Sequence, residues 1–185
     1  MTIVLYLIGR SGSGKYTIAK QLEKYGLKIV DNHLINNPIF SLFDLSGGVP
    51  IPDLAREYTA QIRASVFGFI SREQKHNYVL TNELLQEEVH YKVFAQVQEM
   101  AERRGSLFVP IRLHLSKEEN ARRIQIPERA LRFKTTQIDE RGYQQSLIPV
   151  SHPNMIDIDV NYLTAEAVAQ KIWEATQDKM KLSQK

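Results

Sequence analysis

Gly9-Arg10-Ser11-Gly12-Ser13-Gly14-Lys15-Tyr16-Thr17 is the stretch on which the fold turns. An apolar run, Ile3-Val4-Leu5-Tyr6-Leu7-Ile8, leads into it, and a helix-like segment, Ile18 to Tyr25, leads out. Strand, glycine-rich loop, lysine and helix form the order a phosphate-binding loop requires. The glycines let successive backbone N–H groups converge on one anion. The helix N-terminus adds partial positive charge, and Lys15 supplies a mobile cation for terminal phosphates. The whole stretch, Gly9 through Thr17, is the candidate site for ATP with Mg²⁺.

The loop departs from the strict pattern GxxxxGK[ST]. Tyr16 stands where a small hydroxyl would ligate Mg²⁺, and Thr17 follows one place later. Thr17 is therefore a candidate for the metal role, with water as the alternative route. The form GxxGxGKxT, carried by Gly9, Gly12, Gly14, Lys15 and Thr17, resembles the loop of nucleoside monophosphate kinases. A glycine turn that binds nothing would need neither the lysine nor these flanks.

The chain has 185 residues, which suits a single domain (1–185) able to bury a core. Hydrophobic residues make up 43% and charged residues 24%, ordinary values for a globular protein. A net charge of +3 and a pI near 9.0 suit an anionic small ligand. They do not describe the dense basic surface of a dedicated nucleic-acid binder. Without cysteine there are no disulfides or thiolate metal sites. The N-terminal apolar run is too short for a membrane span and lacks the marks of a signal peptide, so no membrane association and a cytoplasmic setting are expected. Oligomeric state has no signature in the sequence.

Helix and strand signals alternate along the rest of the chain. Ile18, Leu22 and Tyr25 form one helical stripe, closed by Gly26. Leu27 to Val30 predicts a second strand ending at Asp31. Residues 32–52, with three prolines and Gly47-Gly48, predict irregular chain. Asn32, His33, Asn36 and Asn37 read there as turn or loop residues. Leu54, Tyr58, Ile62, Val66 and Ile70 predict a long helix from about Asp53. Tyr78 to Thr81 predicts a third strand. Leu85, Val89, Val93, Val97 and Met100 predict a further helix. Leu107 to Leu115 predicts a fourth strand, with Pro110 as a blemish. Ser116 to Glu119 is a capping-box pattern. Residues 122–149 carry no clear period. A short strand from Asn154 to Val160 and a helix from Thr164, with Ala165, Val168, Ile172 and Trp173 inward, complete the reading, and a frayed polar tail is expected from Asp178. Such alternation implies a parallel sheet with helices on both faces, whose ligands sit at the carboxyl ends of strands.

Asp31 ends the second strand, where a carboxylate can accept a proton from an attacking hydroxyl or hold a water on Mg²⁺. The competing reading is a cap for its own turn. Glu83, after Asn82, stands where many phosphate-loop proteins place a metal-supporting Asp, and reads equally as a first-turn helix carboxylate. Arg56 and Arg63, seven apart, share a helix face and can clamp an anionic acceptor or face solvent. Arg122, Arg123, Arg129 and Arg132 form a basic cluster suited to phosphate oxygens and bases, or to a solvated surface.

In element order and in these motifs the chain resembles the small P-loop kinases of the nucleoside monophosphate kinase and shikimate kinase-like group. Arg123-Ile124 before Arg129, and Ile158-Asp159-Val160-Asn161-Tyr162-Leu163-Thr164 before the last helix, add to the likeness. The resemblance implies an α/β P-loop NTPase fold, with a five-stranded parallel sheet in the order 2-3-1-4-5. It implies ATP-dependent phosphotransfer to a small hydroxylated or phosphorylated acceptor. Lys15 and the loop would hold the β- and γ-phosphates, and Asp31 would be the base or a substrate-binding carboxylate. Residues 32–75 would bind the acceptor, Arg123 would stack on adenine, and Arg129 or Arg132 would close from a lid over 122–140. Thr81-Asn82-Glu83 replaces the glycine triplet of shikimate kinases, which counts against shikimate. Two other readings stay open: a nucleotide-binding protein without phosphotransfer, and a polynucleotide 5′-hydroxyl kinase.

Overall fold

The computed structural model of the chain describes residues 1–43, 51–125 and 145–183. Its frame is a parallel sheet of β1 (Ile3–Gly9), β2 (Leu27–Asp31), β3 (Asn77–Asn82), β4 (Leu107–His114) and β5 (Ile156–Asp159). Their order is β2-β3-β1-β4-β5, as the family resemblance implied. The helices are α1 (Lys15–Leu22), α2 (Asn32–Phe40), α3 (Asp53–Arg72), α4 (Glu88–Arg103), α5 (Lys117–Ile124) and α6 (Ala165–Leu182).

β1 is central, and every one of its residues is buried. Because successive side chains alternate across a strand, Ile3, Leu5 and Leu7 join a core with Ile18, Leu22, Val168 and Ile172 from α1 and α6. Val4, Tyr6 and Ile8 face the other core, with Ile70, Val97 and Met100 from α3 and α4. Tyr25, in the 3₁₀ turn after α1, stacks on Trp173 with ring centroids 4.9 Å apart. Pro110 is accommodated because β5 pairs with β4 only from Ile111 onward. On that stretch Asn154 donates instead to the Phe108 carbonyl.

Four expectations change. Residues 32–40 are not irregular but helical. Asp31 caps α2 by accepting from the His33 amide, Ile35 anchors the helix in the core, and Pro38 falls late enough to forfeit only one intrahelical bond. Asn32, His33, Asn36 and Asn37 are therefore helix residues rather than turn residues. In α3, Leu54 and Tyr58 are exposed, and the buried positions are Ala55, Thr59, Phe67 and Ile70. Leu85 precedes α4 and forms an antiparallel bridge with Leu147, while Val89 is exposed. The last helix runs to Leu182, through most of the supposed frayed tail.

Candidate functional site

The carboxyl ends of β1, β2 and β3 converge because the strands are parallel and in register, with Asp31 beside Thr81 and Ile8 beside Asn82. The loop between β1 and α1 rises from this edge. Gly12 and Gly14 have φ of 89° and 87°, a left-handed conformation that a side chain would strain. A Cβ on Gly12 would also collide with the Asn120 amide. Gly14 opens α1 with no side-chain cap and no acidic residue in the first turn, so the helix end suits an anion. Lys15 Nζ donates to the carbonyls of Gly9 (2.6 Å) and Arg10 (2.9 Å), folding back over the loop that it would serve.

Two residues distant in sequence fix this loop. The Ser11 amide donates to Glu83 Oε1 at 3.1 Å, and the Asn120 side-chain amide donates to the Ser11 carbonyl. Asn120 is buried on α5, which Ser116 caps by accepting from the Glu119 amide. The second half of the expected capping box does not form. The Ser116 amide donates to Asn161 Oδ1 instead, and the buried Glu119 carboxylate accepts from Arg122 and Arg123. Those bonds to two guanidinium groups hold the Glu119 carboxyl down at about 2. Arg123 also donates to the Val160 carbonyl and lies against Gly14, whereas Arg122 is largely exposed. Arg10 donates to the Gln145 carbonyl.

Next to the loop opens a cavity of about 600 Å³, walled by the strand ends and by α2, α3 and α4. Arg10, Ser11, Lys15, Asp31, Glu83, Arg56 and Arg63 all line it, so seven sequence-predicted site residues share one space. Asp31 is buried and accepts from the His33 amide (3.2 Å) and the Thr81 hydroxyl (2.8 Å). It caps its helix, and it lines the cavity that Lys15 also lines. Glu83 lies outside the first turn of a helix, because α4 starts only at Glu88. Of its two readings the helix one fails, since residues 84–87 form a bridge and turn that delay the helix.

Arg63 lies deep, and its desolvation weakens the hold on its proton. Its Nη2 donates to Asn36 Oδ1 at 3.4 Å. Arg56 stands nearer solvent, bonded to the Ile51 carbonyl and 3.9 Å from Asp53. Thr17 is exposed on α1, and neither it nor Tyr16 is among the cavity-lining residues. Arg129 and Arg132 lie outside the described residues, as does the candidate lid beyond residue 125.

Sequence reasoning missed Thr81, Asn120, Asn36 and His90. His90 lines the cavity with its Nδ1 accepting from the Leu85 amide at 3.0 Å. That bond needs a lone pair on Nδ1 and so places the ring proton on Nε2. No helix among the described residues is long and apolar enough to cross a membrane.

The carboxylates fit an Mg²⁺ ion carried on a nucleotide. Asp31 and Glu83 offer the one or two oxygen ligands such an ion takes besides phosphates and water. Among the described residues no three His, Asp or Glu side chains come together as a metal site.

No model of a known protein family matches the chain, and no curated protein sequence matches it significantly. Solved structures do match over nearly the whole chain. A gluconokinase from Sinorhizobium meliloti is 18% identical, with 98% of this chain and 95% of that one covered and a TM-score of 0.60. An APS kinase from Mycobacterium tuberculosis, solved with AMPPNP and APS, is 13% identical over 95% of this chain and 98% of that one, with a TM-score of 0.59. A shikimate kinase from Acinetobacter baumannii, in complex with shikimate, is 19% identical over 97% and 95%, with a TM-score of 0.55. At these identities the likeness is one of fold, and that fold is the P-loop kinase α/β fold.

Proposed function

We propose that the chain transfers the γ-phosphoryl group of ATP to a hydroxyl of a small hydroxylated or phosphorylated acceptor held in the cavity beside the loop. The observation that carries this reading is the meeting of Lys15, Asp31, Glu83, Arg56 and Arg63 around one space at the strand ends. A site that only bound nucleotide would need the loop and Lys15. It would not need a carboxylate and two arginines across an adjoining chamber.

In this reading the loop amides and Lys15 hold the β- and γ-phosphates. Lys15 exchanges its contacts with the Gly9 and Arg10 carbonyls for phosphate oxygens. Arg63 and Arg56 seat an anionic group of the acceptor, whose hydroxyl then points at Asp31. The hydroxyl oxygen bonds to the γ-phosphorus, the bond from that phosphorus to the bridging oxygen of ADP breaks, and the hydroxyl proton passes to the Asp31 carboxylate. Mg²⁺, held through Glu83 and phosphate oxygens, would neutralise charge on the β- and γ-phosphates and leave the hydroxyl proton to Asp31. Thr17, exposed on α1, is the weaker candidate for that role. Arg123, against Gly14, would meet the nucleotide on the far side of the loop, and Arg129 and Arg132 would close over the phosphates. A cytoplasmic setting supplies the ATP this chemistry uses.

Nucleotide binding without transfer is the second reading, favoured by Tyr16 at the usual hydroxyl position. An acceptor screen by ATP-consumption assay with Mg²⁺ separates the two. Acceptor-dependent turnover that Lys15→Ala abolishes supports the kinase. ATP binding with no turnover on sugars, sugar acids, nucleosides or hydroxylated antibiotics supports the second reading. A salt-sensitive affinity for single strands would favour a polynucleotide acceptor.

A further inference from the structure

Adjoining the acceptor cavity is a much smaller space of about 10 Å³, lined from β1, β2, β3, α2, α3 and α4. Tyr6, Asn32 and Arg63 are in its wall. Each carries a buried polar atom with no hydrogen-bond partner among the described residues: the Tyr6 hydroxyl, Asn32 Oδ1 and Arg63 Nε. Tyr6 is wholly buried, and the Asn82 amide lies beside its phenol without hydrogen-bond geometry. Folded proteins leave few buried polar atoms unpaired, and three around one void call for a common partner. The void has room for about one water molecule, and a buried water typically makes about three hydrogen bonds.

The donors and acceptors also match. Arg63 Nε is a donor only, Asn32 Oδ1 an acceptor only, and the phenol can be either. Arg63 Nε and Asn32 Oδ1 are complementary but do not bond each other, and a small molecule that both accepts and donates can join them. An ammonium ion could not accept from Arg63, and an anion could not donate to Asn32.

We propose that this void is a site for one ordered water, which accepts from Arg63 Nε–H, donates to Asn32 Oδ1 and bonds the Tyr6 hydroxyl. Tyr6 and Asn32 are then positioning residues for Arg63. Arg63 lines both the void and the acceptor cavity, as do Asn32, Thr81 and Asn82. Its Nε is fixed by the water, and its Nη2 is fixed by Asn36. Two anchors set the plane of the guanidinium and leave its remaining N–H groups for a carboxylate or phosphate in the cavity. This consequence rests on the proposed role of Arg63 in acceptor binding. The water site itself stands apart from any activity.

The test uses the full chain. In a crystal structure of about 1.8 Å resolution or better, one water is expected within hydrogen-bond distance of Tyr6 Oη, Asn32 Oδ1 and Arg63 Nε. Absence of that density, or a direct bond between any two of the three atoms, overturns the proposal. In solution the Arg63 Nε–Hε resonance is expected to exchange slowly, and Tyr6→Phe to speed it roughly three- to tenfold, as for one hydrogen bond lost. Asn32→Ala, which leaves the β1 core untouched, should do the same, so a misfolded Tyr6→Phe cannot rescue or sink the idea. Unchanged exchange in both variants overturns it.

Inorganic sulfate then probes the consequence, read separately at Arg63 Hε and at the Gly14 and Lys15 amides. Tyr6→Phe should weaken sulfate at Arg63 by a similar factor and leave the loop amides as in the parent. Equal weakening at both places, or none at Arg63, refutes the positioning role. Either result leaves the kinase reading to the acceptor screen.

Discussion

Asp31→Asn separates the two jobs that the structure gives to one side chain. Asp31 accepts from the His33 amide and from the Thr81 hydroxyl, both through Oδ1. Asparagine has the same carbonyl oxygen in the same place, and as an N-cap it is the equal of aspartate. The variant keeps both bonds and loses only the negative charge at the start of α2, worth about 0.3–1 kcal/mol. For a chain of this size that is a fall in Tm of only a few degrees, at about 2–4 °C per kcal/mol. Asp31→Ala, by contrast, removes the cap and should cost a further 0.5–2 kcal/mol or so.

The effect on turnover should differ in kind. A carboxamide in place of the Asp31 carboxylate cannot take a proton, so kcat with the true acceptor should fall about 10²-fold. That is the low end for a general base, because bond-making to phosphorus is slight in a loose transition state. ATP affinity should stay within about twofold of the parent, a change under ~0.5 kcal/mol. Calorimetry for ATP and a coupled assay for turnover read the two quantities separately. The reasoning fails if Asp31→Asn turns over like the parent. It fails equally if ATP affinity and turnover drop in step, since Asp31 would then be holding the loop together and doing nothing for the hydroxyl.

Lys15→Ala should weaken ATP binding at least tenfold, as a charge-assisted contact is worth about 1.5–3 kcal/mol, and calorimetry reads it directly. Gly12→Ala should disrupt the loop twice over, by the left-handed backbone and by the collision with Asn120, and abolish measurable ATP binding while leaving the far-UV spectrum unchanged. Glu119 gives a pH prediction. Its folded value of about 2 lies below its ordinary 4.5, so its ion pairs stabilise the fold fully above the ordinary value and are lost as pH falls toward 2. Glu119→Gln should therefore flatten the acid limb of a Tm-against-pH curve between those values, and an unchanged limb would show that the two arginines contribute nothing there. If residues 122–140 close over bound nucleotide, a non-hydrolysable ATP analogue should raise hydrogen-exchange protection across that stretch, and equal protection with and without it would remove the lid.

The phosphate loop and the alternating elements were legible because their signals are local. A glycine pattern between a strand and a helix needs no distant partner to be recognised. The face of α3 was misread for a reason that geometry makes plain. At about 100° per residue, each step of four overshoots a full turn by about 40°, so the row from Leu54 to Ile70 swings through about 160°. Leu54 and Ile70 cannot share a face. Thr59 and Ala55 lie within about 20° and 60° of Ile70 and are the residues buried with it. α2 was missed because asparagines, a histidine and a proline look like a turn. Its formation depends on the Asp31 cap and on Ile35 reaching the core, and the latter appears only once the sheet exists.

The braces of the loop were illegible for the same physical reason. Ser11 is held by Glu83, 72 residues away, and by Asn120, 109 residues away. Neither has a spacing to Ser11 that any period predicts, because parallel strands and crossover helices bring them together. Their role follows from what the loop is. Left-handed glycines give the backbone the shape an anion needs, and the same freedom lets it leave that shape when no anion is there. A carboxylate accepting from the Ser11 amide and a carboxamide donating to the Ser11 carbonyl hold both polar groups of one residue at once. The loop therefore meets its ligand with part of its ordering cost already offset within the fold, which is how a flexible segment can bind tightly. Glu83 does this from the wall of the acceptor cavity. The residue that braces the nucleotide loop is thus also in contact with the space where the acceptor would sit, and the two halves of the proposed reaction meet in its carboxylate.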